Sequence, residues 1–419
     1  MPDSFDAIII GAGASGLAAA RDLAGAGKSI ALLEARERIG GRIFTIHTAE
    51  APLPIELGAE FIHGEAQETF SIVEAAALLA YELPDDHWWW SAGGFKRIPN
   101  FWAAMNRIRA RIPARERDVS FVEFLDRQKN LSSRDRKLAL NFVEGYHASH
   151  ADRISAASLR ASDEEQEAPK QFRIGNGYDV LIEWLRAGLD PSRSLLRLGT
   201  EVTQVRWRRG NVEVATRHGE TFHARASVVT IPIGVWKSAQ AIRFDPPLAD
   251  KQRALRKLEV GHVVKIVFRF RERFWDPERN FLHSDDPFVP TWWTTAPVRS
   301  SMLTGWSGGH AADRLLATGD VVNRALDSLS KLLGVKRSKI DSFLDSAQTH
   351  DWQSDPFSRG AYSYSAVGGE RAHDTLARQI EGTLFFAGEA TSSDETGTVA
   401  GAIATGRRAA KQILRARGR

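Results

Sequence analysis

Residues 5–16 read Phe-Asp-Ala-Ile-Ile-Ile-Gly-Ala-Gly-Ala-Ser-Gly, an apolar run of strand length that ends in a glycine-rich turn. This order predicts a buried parallel strand, a tight turn opened by Gly11, and a helix over residues 17–26. Gly13 lets the backbone approach a pyrophosphate, and Gly16 lets the helix pack closely on the strand. The helix then directs its free amides and its positive dipole end at the phosphates. The predicted phosphate-binding residues are Gly11, Gly13, Ala14, Ser15 and Gly16.

An acidic residue follows the second predicted strand. Residues 29–33 form another short apolar run, which ends in Glu34, about 20 residues after the turn. A carboxylate at this strand end can accept a hydrogen bond from a ribose hydroxyl. Strand, glycine turn, helix, strand and acid together predict a Rossmann-type dinucleotide-binding unit in an α/β fold. The pattern leaves one alternative open, a glycine-rich turn that binds no ligand.

Composition narrows the class of protein. The chain has 419 residues, 43% hydrophobic and 26% charged, which is enough for two globular domains. Its net charge of +4 comes from 56 basic and 52 acidic side chains that interleave, so no nucleic-acid partner is expected. The absence of cysteine excludes disulfides, thiolate metal ligands and a cysteine-linked cofactor. The 12 histidines lack ligand spacing, so the sequence predicts no metal site.

Localisation is predicted from the segments that the sequence lacks. The first strand begins within a few residues of Met1, which leaves no room for a signal peptide. No apolar run approaches the ~20 residues that a membrane-spanning helix needs. We therefore expect a cytoplasmic protein, either a monomer or a homodimer, that does not associate with a membrane.

Helical spacing dominates residues 66–190, and the run Trp88-Trp89-Trp90 lies inside this region. An acidic cluster at residues 163–167 is a candidate partner for a distal ammonium group, although a solvated loop is the stronger interpretation. Alternation then predicts strands over residues 201–207, 212–216, 226–231 and 262–270, and helices over residues 249–258 and 320–333.

Four further blocks are similar to a known family. Residues 35–42 read Ala-Arg-Glu-Arg-Ile-Gly-Gly-Arg, and residues 55–64 read Ile-Glu-Leu-Gly-Ala-Glu-Phe-Ile-His-Gly. Residues 384–390 read Leu-Phe-Phe-Ala-Gly-Glu-Ala, and residues 397–402 read Gly-Thr-Val-Ala-Gly-Ala at the start of a predicted thin helix. With the glycine turn and Glu34, these blocks resemble the flavin-dependent amine oxidase family, of the monoamine and polyamine oxidase type.

The resemblance implies FAD and two interleaved domains. The FAD-binding domain would be Rossmann-type and contain residues 1–78, 196–255 and 353–419. The substrate-binding domain would combine a mixed sheet with helices over residues 79–195 and 256–352. Beyond the glycine turn, the implied cofactor-binding residues are Glu34, Ala35, Arg36, Gly41, Arg42, Gly58, Ala59, Glu60, Phe61, Val202, Trp352, Gly388, Glu389, Gly397, Thr398 and Val399.

The implied chemistry is the oxidation of an amine at its α-carbon. A hydride passes to flavin N5, water hydrolyses the imine, and O2 reoxidises the flavin to give H2O2. Because the nitrogen lone pair drives the step, the amine must react uncharged, which an apolar pocket favours by lowering the ammonium pKa. Lys265 lies in the strand predicted over residues 262–270, which is otherwise mostly apolar. The resemblance implies that this lysine holds a water molecule against the flavin. The alternative is an edge-strand lysine that reaches solvent.

Two other residues are implied to face the substrate amine. His63 would contact it in the cavity, or would instead be a hydrogen-bonded histidine of a turn. Tyr362 would form one wall of an aromatic cage, and Thr398 stands where the second aromatic wall is expected. The candidates for that missing wall are Trp292, Trp293 and Trp306, each of which can equally be a core residue. Ala361 occupies the place of the flavin-linking cysteine of monoamine oxidases, so the FAD should be non-covalent.

We therefore expect an amine oxidase that uses O2 and prefers polyamine-like or bulky amines to small monoamines. One alternative is an L-amino-acid oxidase, which needs an arginine near the cavity that residues 58–64 do not offer. The others are an amine dehydrogenase with a different electron acceptor and a flavin-binding scaffold without turnover.

Overall fold

The computed structural model describes residues 4–91, 94–160 and 170–416. The first strand, Phe5–Ile10, lies inside a sheet that has eight strands within these ranges. It pairs in parallel with Ile30–Leu33 on one side and with Thr221–Val229 on the other. The predicted α/β fold is thereby confirmed. The order of the sheet is Ser194–Arg197, Ile30–Leu33, Phe5–Ile10, Thr221–Val229, Asn211–Thr216, Val202–Arg208 and Arg243–Asp245, with Leu384–Phe386 also paired to Thr221–Val229.

The turn after the first strand depends on two glycines. Gly11 has a φ of +103°, a conformation that glycine adopts at little cost. A Cβ on Gly16 would lie 1.9 Å from the carbonyl oxygen of Gly11, so only glycine permits the observed contact between strand and helix. The helix Ala14–Gly25 begins three residues before the predicted start (17 − 14 = 3), because Gly13 is extended and the chain becomes helical directly after it.

The C-terminal helix packs on this first helix. It spans Val399–Ala416, which confirms the thin helix predicted to start within residues 397–402. A Cβ on Gly406 would lie 2.1 Å from the backbone oxygen of Ser15. Small residues therefore bring the two helix backbones together.

A second sheet contains the predicted lysine strand. Val263–Phe270 pairs with Met302–Gly308 on one side and with Leu344–Thr349 on the other. Lys265 therefore lies on an internal strand and is 2% exposed, so the alternative of an edge lysine that reaches solvent is wrong. Within the described ranges this sheet runs in the order Leu344–Thr349, Val263–Phe270, Met302–Gly308, Thr291–Thr294, Phe281–His283, His87–Ser91 and Gly94–Arg97.

The tryptophan run is a strand, so its assignment to a helical region is wrong. The strand His87–Ser91 pairs with Gly94–Arg97 and with Phe281–His283. Trp89 packs into one core cluster, whereas Trp88 and Trp90 pack against another. Because both faces of the strand are covered, all three positions are apolar and the alternation that identifies a strand is hidden.

The other predicted elements appear with shifted ends. The helix predicted over residues 249–258 stops at Leu255, and Leu258–Val260 is a short strand that pairs with Ser363–Ser365. None of the described helices has the length and apolar character to cross a membrane. The remaining helices are Gln67–Ala75, Phe101–Arg109, Phe121–Asp126, Ser133–Tyr146, Asp179–Ala187, Ile233–Trp236, Ala249–Leu255, Gly309–Leu316, Val321–Leu333, Arg337–Phe343 and Ala372–Ala377, and the short 3-10 turns are Ala157–Leu159 and Glu389–Thr391. Thr45–Ile46 pairs with Ile55–Glu56, and Gln171–Ile174 pairs with both Ile62–His63 and Ala80–Glu82.

The substitution Gly16→Ala tests the strand–helix contact. The added Cβ forces the two elements apart, so we expect a loss of about 1–3 kcal/mol in unfolding free energy and a lower melting temperature. Gly25→Ala is the matched control in the same helix, because a Cβ there meets nothing within 4 Å. Thermal unfolding followed by circular dichroism measures both, and equal melting temperatures would contradict the argument.

Candidate active site

One continuous cavity of about 1520 Å³ extends from the glycine turn to the lysine strand. Gly13 and Glu34 line one part of it, and Lys265 and Tyr362 line another. Of the predicted site residues only Gly16 is outside the wall, because it packs beneath the turn on Gly11. The others that line the cavity are Gly11, Ala14, Ser15, Ala35, Arg36, Gly41, Arg42, Gly58, Ala59, Glu60, Phe61, His63, Val202, Trp352, Gly388, Glu389, Gly397, Thr398 and Val399.

The end of the cavity beside the glycine turn is organised by Glu34. Its Oε2 accepts a hydrogen bond from the backbone N–H of Ala12 at 2.7 Å, and its Oε1 accepts one from Arg36 N–H at 2.9 Å. Each carboxylate oxygen has a second lone pair, so the group keeps the capacity to bind a ribose hydroxyl. Above the turn, a Cβ placed on Gly13 would find its nearest neighbour, Gly41 Cα, only at 4.0 Å. The turn is therefore open on its cavity side and fits a pyrophosphate.

The arginines of this end are paired within the protein. The guanidinium of Arg36 donates to Asp355 at 2.6 Å and to Ser358 at 2.9 Å. Arg42 lies 3.0 Å from Glu389, whose other oxygen accepts a hydrogen bond from the Ser363 hydroxyl at 2.7 Å. Both guanidiniums, which the resemblance implied for cofactor binding, are thus already paired with carboxylates.

Thr398 caps the C-terminal helix. Its hydroxyl accepts a hydrogen bond from Gly401 N–H at 2.9 Å and donates one to the carbonyl of Glu395 at 3.0 Å. Next to it, Gly397 has a φ of +79°, and a Cβ there would lie 3.0 Å from the ring of Tyr362. The position where a second aromatic wall was expected is therefore a helix start packed close to the first wall.

Lys265 belongs to a buried group of three charges. Its Nζ lies 2.6 Å from Glu60 Oε2 and donates a hydrogen bond to the carbonyl of Gly58 at 3.1 Å. The other oxygen of Glu60 lies 2.7 Å from Arg173 Nη2 and accepts a hydrogen bond from Trp293 Nε1 at 3.1 Å. Burial opposes ionisation of Glu60, but Lys265 and Arg173 outweigh it and hold the carboxyl pKa below its usual value. The group carries a net charge of +1 (two cations, one anion) in the cavity wall.

His63 stands between two aromatic rings. Its ring centroid is 5.2 Å from that of Tyr146 and 6.2 Å from that of Phe61. Its Nδ1 is buried and has no hydrogen-bond partner among the described residues. Burial lowers the pKa of His63 to about 4, so the imidazole is neutral at neutral pH.

The tryptophan candidates for the missing wall separate into two groups. Trp292 is fully buried beneath the sheet, where it packs near Phe268 and donates to the carbonyl of Val289, so it is a core residue. Trp293 and Trp306 line the cavity with their ring centroids 5.7 Å apart. Trp306 packs in the same cluster as Tyr362 and is the better candidate.

Several residues of the cavity wall were not predicted from the sequence, and they come from separate segments of the chain. His87 and His283 share a hydrogen bond of 2.9 Å, and the ring of His87 stacks on Phe101 at 4.1 Å. Burial lowers the pKa of His283 well below its usual value and that of His147 to about 3. Their spacing in the chain carries no motif, and neither does that of Arg173. The acidic cluster at residues 163–167 lies outside the described residues.

These features agree with the comparisons to known proteins. The sequence model of the family described as flavin containing amine oxidoreductase matches residues 14–414. The chain therefore belongs to this family, and the protein is an oxidoreductase that acts on amines and uses a flavin. The predicted family and enzyme class are confirmed.

Two polyamine oxidases and one solved amine oxidase structure are among the proteins similar to this chain. Polyamine oxidase 3 of Oryza sativa subsp. japonica is 30% identical over 97% of this chain and 88% of its own length. Polyamine oxidase 2 of Arabidopsis thaliana is 30% identical over 96% of this chain and 87% of its own length. Among solved structures, cyclohexylamine oxidase from Brevibacterium oxydans IH-35A has the same fold, with a TM-score of 0.84 at 22% identity over 99% of this chain and 100% of that one.

A second carboxylate, that of the partly buried Glu56, lies close to this site. It accepts hydrogen bonds of 2.7 Å from the hydroxyl of Thr45 and from the backbone N–H of Tyr178. Burial outweighs these bonds and raises the pKa of Glu56 to about 7. The folded protein therefore keeps a proton on Glu56 at pH values where the unfolded chain releases it.

We expect Glu56 to make the folded protein less stable as pH rises. The stabilisation is complete below a pH of about 4.5 and is lost as pH rises through about 7, a change on the order of 3 kcal/mol. Glu56→Gln mimics the protonated form, so its melting temperature should fall less between pH 5 and pH 8 than that of the unmodified protein. Glu272→Gln, at an exposed position, is the control and should keep the original dependence. An unchanged slope in Glu56→Gln would contradict the assignment.

Proposed function

We propose that this protein oxidises polyamine-like or bulky amines with non-covalently bound FAD and transfers the electrons to O2. The observation that carries the proposal is the continuity of the cavity, which joins the open glycine turn to Lys265 and the aromatic residues around it. A dinucleotide cofactor and an amine can therefore meet in one chamber. The polyamine oxidases that share 30% identity with this chain support the choice of substrate.

The glycine turn and Glu34 fit the adenosine and pyrophosphate parts of FAD. Thr398 and Val399, at the start of the helix Val399–Ala416, fit the flavin, because helix amides stabilise negative charge. The methyl group of Ala361 cannot form a covalent bond to the flavin, so the FAD is held without one. When bound, FAD supplies the acceptor for the two electrons that leave the amine.

The two large sheets support the proposed division into domains. Except for Ser194 and Leu195, strands of the sheet around Phe5–Ile10 come from residues 1–78, 196–255 and 353–419. Strands of the sheet around Val263–Phe270 come from residues 79–195 and 256–352. We assign FAD binding to the first set of segments and substrate binding to the second.

The substrate chamber favours the uncharged amine. Phe61, Trp306 and Tyr362 make part of its wall apolar, and His63 is a neutral imidazole that can accept a proton or a hydrogen bond. Such a wall disfavours an ammonium group and lowers its pKa. We assign to Lys265 the binding of a water molecule through its Nζ. Glu60 holds the ammonium group of Lys265 in place.

The contacts of Arg173 favour an amine over an amino acid. An amino-acid oxidase needs a cation for the substrate carboxylate, and Arg173 is a buried arginine of the cavity wall. Its guanidinium is already bound to Glu60 at 2.7 Å and donates to the carbonyl of Thr294 at 3.0 Å. A substrate carboxylate would have to displace these partners.

Anaerobic mixing with a panel of polyamines, monoamines and amino acids tests the proposal. We expect the yellow protein to bleach with polyamine-like or bulky amines, and air to restore the colour with release of H2O2. Bleaching by amino acids alone would assign an amino-acid oxidase, and bleaching without peroxide in air would assign a dehydrogenase. A yellow protein that no compound bleaches would be a scaffold, and a colourless protein that cannot be loaded with FAD would overturn the cofactor assignment.

Lys265→Met should slow turnover by about 10²-fold or more while FAD remains bound, because the water loses its cationic partner. Lys251→Met is the matched control, since Lys251 is equally buried at 2% exposure but donates to backbone carbonyls outside the cavity. It should lower the melting temperature and leave turnover per bound flavin unchanged. Flavin absorbance and stopped-flow kinetics measure both variants, and near-normal turnover in Lys265→Met would remove the lysine from the mechanism.

A further inference from the structure

Three histidines from three chain segments meet outside the cavity wall. His150 follows the helix Ser133–Tyr146, His262 directly precedes the strand Val263–Phe270, and His310 is in the first turn of the helix Gly309–Leu316. The ring centroid of His150 lies 5.0 Å from that of His262 and 4.7 Å from that of His310.

Two aspartates complete the cluster. Asp313 lies one helical turn after His310, and its Oδ2 is 2.7 Å from His150 Nε2. Its Oδ1 is 2.6 Å from His262 Nδ1, so one carboxylate joins two of the imidazoles. Asp152 lies 2.9 Å from His310 Nε2. With neutral imidazoles the cluster carries two negative charges (Asp152 and Asp313), which attract a cation.

The backbone brings the three segments together. His262 N–H donates to the carbonyl of Ala148 at 3.0 Å, and Gly309 N–H donates to the carbonyl of His262 at 3.0 Å. A Cβ on Gly308 would lie 2.0 Å from the carbonyl oxygen of Glu144, and one on Gly309 would lie 2.2 Å from that of Ser149. The histidines thus converge because backbone contacts beside each of them fix its position, independently of any attraction between the side chains.

We propose that His150, His310 and Asp313 bind a divalent transition-metal ion of the zinc type. His262 lies 2.6 Å from Asp313 and orients that carboxylate. One ligand atom from each of the first three residues lies within 4.8 Å of the others. Zinc bonds to nitrogen and oxygen are about 2.0–2.2 Å long, so closure requires a small movement. His310 has a side chain that is 40% exposed and can rotate once its contact with Asp152 is broken, whereas His150 is almost fully buried.

The donor atoms indicate which metal is bound, and a contact with Tyr364 orients His150. Imidazole with carboxylate suits Zn²⁺ and its neighbours better than Mg²⁺ or Ca²⁺, which prefer oxygen ligands. Nδ1 of His150 lies 3.3 Å from the hydroxyl of Tyr364, which leaves Nε2 for the ion. The ion would join the segment of His150 to the helix Gly309–Leu316, near the start of the strand that carries Lys265. Its role is therefore structural and does not depend on the proposed catalytic function.

The test uses FAD-loaded protein without a histidine tag, treated with a chelator and dialysed. Calorimetric titration with ZnCl2 should give one equivalent bound, with a higher melting temperature, and MgCl2 should give neither effect. His310→Ala and Asp313→Asn should each weaken Zn²⁺ binding by more than about tenfold. His218→Ala, at an exposed histidine elsewhere in the chain, is the control and should bind like the unmodified protein.

The outcomes separate this site from non-specific binding. If the unmodified protein takes up no Zn²⁺, or if both variants bind it with unchanged affinity, the assignment is overturned. Circular dichroism of His310→Ala and Asp313→Asn without metal establishes whether each variant is folded. If either is unfolded, His310→Gln replaces it, and binding by that variant with unchanged affinity also overturns the proposal.

Discussion

The cavity depends on one buried carboxylate. Glu60 pairs with Lys265, which the internal strand Val263–Phe270 carries, and with Arg173, which lies on the strand Gln171–Ile174. These residues come from distant parts of the chain, and charges buried beside each other require close pairing to offset the water they have lost. Breaking such a pair typically costs about 3–5 kcal/mol, because the remaining charge stays buried without compensation. The geometry of this group therefore constrains both the sheet and the cavity wall.

Two further arginines of the cavity wall are also paired with carboxylates. Arg36 is bound to Asp355 and Arg42 to Glu389, while burial keeps the imidazole of His63 uncharged. These two arginines therefore add little net positive charge to the wall, whereas the group of Lys265, Glu60 and Arg173 keeps a net charge of +1. The positive charge and the apolar wall both disfavour an ammonium group, so they lower its pKa below the value in water. The proposed chemistry therefore uses a property of the whole wall.

The sequence was most informative where backbone geometry leaves no choice of residue. Only glycine fits at Gly11 and Gly16, so the turn, the strand before it and the helix after it were predictable from one short sequence motif. Lys265 stood out in an otherwise apolar strand, but its expected role came from the family resemblance, and its partners Glu60 and Gly58 came only from the structure. The tryptophan run was misassigned because a strand covered on both faces has no alternation to read.

Sequence alone determined the α/β class, the glycine-rich turn and the family, since each rests on local spacing within short segments. Only the tertiary structure decided which partners the buried charges have. Arg173 and Glu60 are more than a hundred residues apart (173 − 60 = 113), and the histidines around Asp313 come from three segments. Such contacts depend on how sheets and helices pack, and packing brings together residues whose distance along the chain carries no information about their distance in space.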